Sequence, residues 1–401
     1  MKTKTFLLPL SLCVAMLAFS CKPKEASECD KALDWAIRMA DSELTRGVPG
    51  AAADSPRFKW DYAVGVCLKG LLDLSDLTGD PKYYDYVANF SDKVVAEDGS
   101  IKTYRLEEYN IDRVNTGKVF YRVYDKTKDE KYRKALALLR SQLDTHPRND
   151  DGGLWHKEIY PHQMWLDGLY MGGPFWAEYT ARYGQTEEYQ PLITWFRTMD
   201  EHCYDPGMDL YRHACDVSRE MPWADKVTGQ SEHCWGRGMG WFFMSAVDAI
   251  EFIPEGVEGR EVVLNIINKL AGMVKRTQDP KSGAWYQVID RSGDEGNYLE
   301  ATCTGMFMYS LLKGIRLGVI DRSYLPVARK AYEGFIKTFI TEDENGLLNV
   351  GDCCMGAGLG GTPYRSGNYE YYCYEARKGS NSPFATGSFI MAGVELENLK
   401  K

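Results

Sequence analysis

One acidic residue, Asp167, stands in a strongly apolar stretch over residues 162–179, with Trp165 and Tyr170 among its neighbours. A carboxyl group kept away from water retains its proton near neutral pH, as a general acid must. The Gly-Gly-Pro sequence at residues 172–174 places Asp167 on the approach to a helix, whose N-terminus favours the ionised form instead. The pattern leaves two interpretations open, a catalytic acid and a satisfied structural group.

A second candidate site combines two aromatic side chains with one cation, in Trp235, Arg237 and Trp241. Indole faces stack on the apolar faces of sugar rings, and a guanidinium group binds a carboxylate through two hydrogen bonds. Tryptophans at this spacing are also common in hydrophobic cores. An arginine between two tryptophans and two glycines is harder to explain as a core residue, so the pattern favours one subsite that offers both kinds of contact.

Three other motifs do not fit the chemistry that they suggest. The glycine-rich run at 356–361 follows no strand of a βαβ unit, which argues against a dinucleotide-binding loop. The six histidines show no zinc-binding spacing. The chain also has no Gly-x-Ser-x-Gly elbow for a serine nucleophile. We therefore expect no metal site and no serine-type chemistry.

The N-terminus predicts export from the cytoplasm. Two early lysines precede an apolar run over residues 6–19, which is too short to span a bilayer and ends at Ser20-Cys21. This arrangement resembles a bacterial lipoprotein signal over residues 1–20, followed by a polar tether over 21–27, with Cys21 as the lipidated residue. An ordinary cleaved secretory signal is the alternative. The lipoprotein interpretation predicts a periplasmic or outer-membrane protein of a Gram-negative bacterium.

The overall charge argues against a nucleic-acid partner. The 401-residue chain carries 57 acidic and 48 basic side chains, a net charge of −9, whereas nucleic-acid binding requires a basic surface. Of the eleven cysteines, nine follow the predicted anchor and form no Cys-x-x-Cys pair. Buried free thiols are the default expectation, with one or two disulfides as the alternative in an oxidising compartment.

A weak internal repeat predicts an all-α fold. Similar charged turns open four amphipathic stretches, at residues 80–83, 129–132, 186–189 and 321–324. Each follows a more apolar stretch, at 60–77, 110–125, 169–183 and 300–317. A fifth pair combines 235–252 with 260–276, and the final helix at 384–399 is complemented by the N-terminal one at 28–46.

Six such pairs predict an (α/α)6 barrel of six inner and six outer helices. Helices that are apolar nearly all round pack inside, and those with one polar side pack outside. An open α-solenoid of helix pairs is the alternative. Because the first and last helices complement each other, we favour the closed barrel, as a single catalytic domain over residues 28–401.

Several sequence blocks resemble the signature blocks of one enzyme family. The most specific is PHQMWLDGLYMGGPF at 161–175, followed by WGRGMGW at 235–241. Supporting blocks are YNIDRVNTGKV (109–119), LYRHACD (210–216), WYQVID (285–290), GNYLEAT (296–302) and SGNYEYYCYE (366–375). Together they resemble the unsaturated rhamnogalacturonyl hydrolases, glycoside hydrolase family 105, and occur in the order of that family. The resemblance also implies an (α/α)6 barrel.

The resemblance implies a particular reaction. Polysaccharide lyases leave a 4,5-unsaturated uronic acid at the non-reducing end of their products, and members of this family remove it by hydrating the C4=C5 double bond. This chemistry needs one acid/base rather than the paired carboxylates of ordinary glycosidases. Asp167 matches the general acid/base of the family. The resemblance implies no metal and no organic cofactor.

The resemblance also assigns roles to the residues around Asp167. Asp112 matches a second aspartate that holds the substrate and tunes the first, and two close carboxylates would titrate as a pair. His213 matches a histidine near the uronate. Five more residues fall in matching blocks and are expected to line the subsite: Gln163, Trp165, Trp235, Arg237 and Trp241. Arg237 is the expected partner of the substrate carboxylate.

Two alternatives to a rhamnogalacturonyl hydrolase remain open. An unsaturated glucuronyl hydrolase would act on glycosaminoglycan-type or other fragments with the same barrel and the same chemistry. A non-catalytic oligosaccharide-binding lipoprotein would keep the barrel without turnover, although the presence of both Asp167 and Asp112 argues against it. In each case the expected partner is an unsaturated oligosaccharide, with membrane contact through the lipid anchor only.

Overall fold

Six pairs of antiparallel helices dominate the computed structural model, which describes residues 1–2 and 27–401. Apart from the first two residues, the predicted signal and Cys21 lie outside the described residues. The α-helices, in chain order, are α1 (Ala32–Arg46), α2 (Ala63–Thr78), α3 (Pro81–Val94), α4 (Val119–Thr127), α5 (Glu130–Thr145), α6 (Leu166–Tyr183), α7 (Gln190–Cys203), α8 (Gly236–Ile250), α9 (Arg260–Thr277), α10 (Ala301–Arg316), α11 (Leu325–Phe339) and α12 (Pro383–Asn398).

The even-numbered helices form a closed inner ring. Helix α2 packs against α12, which packs against α10, and the ring continues through α8 and α6 to the short helical segment Ile111–Lys118 and α4, which return to α2. All 15 residues of α8 are buried, whereas only seven of the 18 residues of the outer helix α9 are. The closed (α/α)6 barrel is therefore confirmed, and so is the pairing of α1 with α12.

Three predicted inner helices differ in detail from the structure. Helix α6 begins at Leu166 rather than at residue 169, so Asp167 lies in its first turn instead of on the approach to it, and Pro174 lies inside the helix. Helix α2 begins at Ala63 rather than at residue 60, and the stretch predicted as a helix over 110–125 begins with 3-10 geometry before α4. Within that stretch, the Asn115 side-chain amide donates to the backbone carbonyl of Tyr62 at 2.8 Å. The Thr116 hydroxyl donates to the backbone carbonyl of Asp61 at 2.5 Å. Side chains that bind backbone groups elsewhere compete with regular helical geometry.

All the short strands of the described chain lie in connections that lead from an outer helix to the next inner one. They form four antiparallel pairs. These are β1 (Gln163–Trp165) with β4 (Ala214–Asp216), β2 (Tyr204–Asp205) with β3 (Leu210–Tyr211), β5 (Ile340–Glu342) with β6 (Leu348–Val350), and β7 (Cys353–Cys354) with β8 (Lys378–Gly379). The loops that carry them gather at the end of the barrel where the inner helices have their N-termini, which we call the mouth.

The nine cysteines within residues 27–401 are all free thiols, and eight of them are buried, which confirms the default expectation for them. Among the helices that the structure describes, none combines the length and the hydropathy needed to cross a bilayer.

The contact that closes the ring generates a stability prediction. A Cβ atom on Gly387 of α12 would lie 2.8 Å from the backbone N and Cα of Cys67 in α2. Since backbone atoms cannot move aside as a side chain does, we expect Gly387→Ala to lower the free energy of unfolding by about 2 kcal/mol. Urea-induced unfolding followed by circular dichroism measures the change.

The matched control is Gly272→Ala in the outer helix α9, where an added Cβ meets no atom within 4 Å. Removing a mid-helix glycine there should raise the free energy of unfolding by about 0.5–1 kcal/mol. Equal effects of the two substitutions would show that the contact between α2 and α12 is not the tight one described.

Candidate active site

A polar cavity of about 180 Å³ opens at the mouth of the barrel. Both predicted aspartates, Asp112 and Asp167, line it, together with Trp165 and a set of cationic side chains. The cavity therefore brings together the two carboxylates that lie more than fifty residues apart in the chain. It is the part of the molecule in which acid–base chemistry has its groups in place.

Backbone pairing places Asp167 beside His213. Asp167 lies in the first turn of α6, which directly continues strand β1, and β1 pairs with β4. The Leu166 amide donates to the His213 carbonyl at 3.1 Å. As a result, Nε2 of His213 lies 3.4 Å from Oδ2 of Asp167. Among the described residues neither of these two buried atoms has a hydrogen-bond partner.

A glycine allows the inner helix α8 to approach this pair. A Cβ atom on Gly238 would lie 3.4 Å from Cδ2 of His213 and 3.8 Å from Oδ2 of Asp167. The side chain of Asp167 is 13% exposed, although its Oδ2 is buried. Asp167 therefore presents the exposed part of its side chain to the cavity, while Oδ2 faces the imidazole of His213.

A second backbone pairing places Asp112 beside two basic residues. The Ile111 amide donates to the His156 carbonyl at 3.3 Å, and Asn110 forms an isolated bridge with Lys157. The Lys157 ammonium then lies 2.7 Å from Oδ2 of Asp112, and Nε2 of His156 lies 3.4 Å from Oδ1. Asp112 is consequently held by a cation on one oxygen and an imidazole on the other.

The electrostatic environment keeps Asp112 ionised. Burial opposes ionisation, but the cationic neighbours of Asp112, chiefly Lys157, outweigh burial, and the pKa of Asp112 falls below its usual value. Burial lowers the pKa of His156 to about 4, against a smaller opposing effect of Asp112. The second aspartate, Asp112, is therefore a carboxylate near neutral pH.

Trp165 and Gln163 organise the cavity wall. The rings of His156 and Tyr160 both stack on Trp165, with centroids 4.6 and 5.4 Å away. The Trp165 indole N–H donates to the side-chain oxygen of Gln163 at 3.2 Å. Gln163 is only 1% exposed, so the structure places it behind the wall, where it orients Trp165, and not on the cavity surface.

The predicted group around Arg237 also lies behind the cavity. Its guanidinium packs over the rings of Trp235 and Phe384, at 4.5 and 4.9 Å, and donates to the Cys354 carbonyl. Arg237, Trp235 and Trp241 are each 1% exposed. Trp235 nevertheless packs against His213 with centroids 4.6 Å apart. Contact between Arg237 and a substrate carboxylate therefore stays a prediction.

Sequence reasoning missed several residues of the site. His156 and Lys157 contact Asp112, Arg365 lines the cavity, and Tyr372 contacts His213. The available signals were weak. His156 and Lys157 follow a tryptophan in the first long loop, and Tyr372 belongs to the tyrosine-rich loop before α12. Only the pairing of distant loops assigns these side chains to the two aspartates.

A larger cavity of about 250 Å³ lies at the opposite end of the barrel. Two of its acidic side chains are paired with one lysine, since the Lys313 ammonium lies 2.7 Å from Asp248 and 2.8 Å from Glu251. It contains neither predicted aspartate. In residues 27–401 no cluster of three or more histidine, cysteine or acidic side chains is arranged to hold a metal ion.

Comparison with known proteins agrees with this geometry. The family model described as Glycosyl Hydrolase Family 88 matches residues 35–400. A solved glycoside hydrolase of family 105 from Clostridium acetobutylicum superposes with a TM-score of 0.87 at 40% sequence identity, and the alignment covers 90% of this chain and 99% of that one.

Two curated relatives extend the comparison. Protein Atu3128 of Agrobacterium fabrum is 34% identical over 231 residues, which cover 56% of this chain and 97% of the relative. The unsaturated rhamnogalacturonyl hydrolase YesR of Bacillus subtilis is 24% identical over 267 residues, 65% of this chain and 72% of the relative. The chain therefore belongs to the glycoside hydrolase family 88/105 group of unsaturated glucuronyl and rhamnogalacturonyl hydrolases, and it is a glycosidase.

Proposed function

We propose that the enzyme removes a 4,5-unsaturated uronic acid from the non-reducing end of lyase-generated oligosaccharides derived from rhamnogalacturonan, by hydrating the C4=C5 double bond. The observation that carries the proposal is the pairing of Asp167 and His213 at a polar cavity, where the buried carboxylate oxygen and the imidazole nitrogen face each other. The similarity to YesR, a rhamnogalacturonyl hydrolase by name, supports this substrate class.

Asp167 is the proposed acid/base. It transfers its proton to C4, and positive charge develops at C5, where the ring oxygen shares it. Water then adds its oxygen to C5 and returns a proton to Asp167, so the residue ends the cycle as it began. The hemiketal then opens: C5 becomes a ketone as its bond to the ring oxygen breaks, and the ring oxygen becomes a hydroxyl group on C1. The resulting hemiacetal at C1 collapses to an aldehyde and releases the aglycone sugar as an alcohol. One acid/base is sufficient, unlike in glycosidases that attack the anomeric carbon.

Asp112 and His213 assist from fixed positions. Asp112, ionised beside Lys157, places a negative charge near the carbon that becomes positive, and such preorganised charges stabilise a transition state. His213 is the proposed hydrogen-bond partner of Asp167 during the reaction, since Nε2 lies 3.4 Å from Oδ2. The two carboxylates thus have different roles because Asp112 has a cation as its neighbour whereas Asp167 has an imidazole.

Basic side chains at the cavity and one deeper arginine favour a substrate that carries a carboxylate. Lys157, Arg113 and Arg365 line the cavity. Arg237 lies deeper and forms no ion pair in the described part of the chain, although burial opposes its charge and its pKa is raised by neighbouring groups. An arginine without a carboxylate partner is suited to an anionic substrate group, and on this basis Arg237 remains our proposed partner of the uronate.

Ultraviolet absorbance of the conjugated uronate tests the reaction and the substrate together. Unsaturated rhamnogalacturonan fragments should lose absorbance on incubation, and glycosaminoglycan-type fragments should lose it slowly or not at all. Asp167→Asn should reduce kcat by at least about 1,000-fold, because an amide cannot donate the proton that C4 requires. Binding, measured by calorimetry, should change little.

The matched control is Asp150→Asn, in an exposed turn outside the cavity, which should leave turnover unchanged. Faster decay with glycosaminoglycan fragments would instead assign an unsaturated glucuronyl hydrolase. Turnover by Asp167→Asn at the wild-type rate would contradict the role of Asp167. Binding of every fragment without any decay would indicate an oligosaccharide-binding protein.

Replacing Lys157 should change the pH dependence of the reaction. Lys157 is the nearest cation that favours ionised Asp112, so Lys157→Met should raise the pKa of Asp112. Since activity requires the carboxylate, the acidic limb of the kcat/KM profile should move to higher pH. Lys157→Arg keeps the charge and should keep the limb in place. An unmoved limb in Lys157→Met would show that ionised Asp112 is not required.

We also propose that the protein is exported and held at a membrane by lipid on Cys21, as the N-terminal sequence pattern indicates. In a Gram-negative host, metabolic labelling with a palmitate analogue should label the wild-type protein. Cys21→Ser should abolish the label and release the protein into the soluble fraction, whereas Cys13→Ser, inside the apolar run, should still be labelled. Unlabelled wild-type protein would indicate an ordinary secretory signal.

A further inference from the structure

His213 is held on all sides within the wall of the active site. Its side chain is fully buried, and its ring packs against Trp235 and Trp165 with centroids 4.6 and 5.4 Å away. One ring nitrogen, Nε2, lies 3.4 Å from Asp167. The other, Nδ1, lies 2.6 Å from the hydroxyl of Tyr372. The two nitrogens of one imidazole therefore connect Asp167 to Tyr372.

The position of each proton follows from the partners of Tyr372. Tyr372 is fully buried, and among the described residues the nitrogen of His213 is the only hydrogen-bond partner of its hydroxyl group. A buried hydroxyl proton without an acceptor is unfavourable. Burial also raises the pKa of Tyr372, so the hydroxyl keeps its proton. Tyr372 must then donate to Nδ1, and a neutral imidazole carries its own proton on Nε2.

We propose that Tyr372 is a positioning residue that fixes His213 as the Nε2–H tautomer and thereby keeps an N–H group, and not a lone pair, beside Oδ2 of Asp167 at 3.4 Å. The opposite tautomer would leave the hydroxyl proton of Tyr372 without an acceptor. It would also set the lone pair of Nε2 against the carboxylate oxygen once Asp167 has given up its proton. Both consequences disfavour it, and the two tryptophans leave the ring little room to rotate.

The hydroxyl of Tyr372 is itself fixed by surrounding contacts. The backbone carbonyl of Tyr372 accepts a hydrogen bond from the side-chain amide of Gln287 at 3.3 Å. The side-chain oxygen of Gln287 in turn accepts a hydrogen bond from the Trp235 indole at 3.2 Å. The rings of Trp235 and Tyr372 are stacked, with centroids 6.1 Å apart. The wide helical turn Tyr371–Glu375 carries the tyrosine. The position of the hydroxyl is therefore set by three separate loops.

The catalytic consequence rests on the proposed function. When Asp167 gives its proton to the substrate, it becomes a carboxylate, and an N–H group beside Oδ2 stabilises that new charge. With the opposite tautomer this stabilisation would be lost at the step that generates the charge. Tyr372 does not line the cavity and acts through His213 alone.

Nitrogen NMR of the wild-type enzyme tests the tautomer without any substrate. The chain has six histidines, so uniform 15N-histidine labelling gives a small set of signals, and His213→Gln identifies those of His213 by their loss. At pH 8 we expect the Nδ1 signal of His213 to have the chemical shift of an unprotonated nitrogen and Nε2 that of an N–H. A protonated Nδ1 with a bare Nε2 would overturn the proposal, whatever the activity of the enzyme.

A tyrosine substitution tests the consequence for turnover. Tyr372→Phe keeps the ring but removes the donor, so we expect a mixture of tautomers in the NMR spectrum and a fall in kcat of about 10- to 100-fold with KM changed less than about twofold. Thermal unfolding checks that the variant is folded. A folded Tyr372→Phe with wild-type kcat would overturn the proposal.

The matched control is Tyr369→Phe, in the same loop, whose hydroxyl donates to the Glu295 carbonyl at 2.8 Å. It should keep both kcat and the His213 tautomer. If Tyr372→Phe does not fold, the wild-type spectrum still decides between the tautomers. If no unsaturated oligosaccharide is turned over, the proposed function fails while the spectrum continues to test Tyr372.

Discussion

The contact between the last inner helix and the first is the constraint on which the rest of this molecule depends. Helix α12 lies against α2 so closely that Gly387 leaves no room for a Cβ atom beside the backbone of Cys67. That contact closes the ring, and a closed ring directs the N-termini of all six inner helices to one end. The loops of the mouth meet only because of this common direction.

Short backbone pairings then convert the mouth into a site. The β1–β4 ladder and the Leu166 amide hold Asp167 beside His213, while the bridge between Asn110 and Lys157 holds Asp112 beside its basic neighbours. Each carboxylate is positioned through the main chain of the segment before it, so its location does not depend on its own flexible side chain. Preorganisation of this kind costs no rearrangement during a reaction.

The two aspartates show how environment separates similar groups. A salt bridge to Lys157 stabilises the charge of Asp112. Asp167 has no cation in that position and instead faces an imidazole whose other nitrogen contacts Tyr372. A carboxylate with a permanent cationic partner is suited to a fixed charge, whereas one that faces a hydrogen-bonding group is suited to gain and lose a proton. The neighbouring side chains thus give Asp112 and Asp167 different environments, although the sequence presents both simply as candidate acidic residues.

The sequence by itself determined the helix pairs and the closed barrel and singled out Asp167 as the candidate acid/base, because apolar periodicity and local composition are written in consecutive residues. Only the tertiary structure decided which side chains surround each aspartate. It placed Lys157 on Asp112 and Tyr372 on His213, and it buried Arg237 behind the cavity wall. Such contacts join loops that are distant in the chain, and their pairing follows from closure of the ring, which leaves no periodic pattern in the sequence.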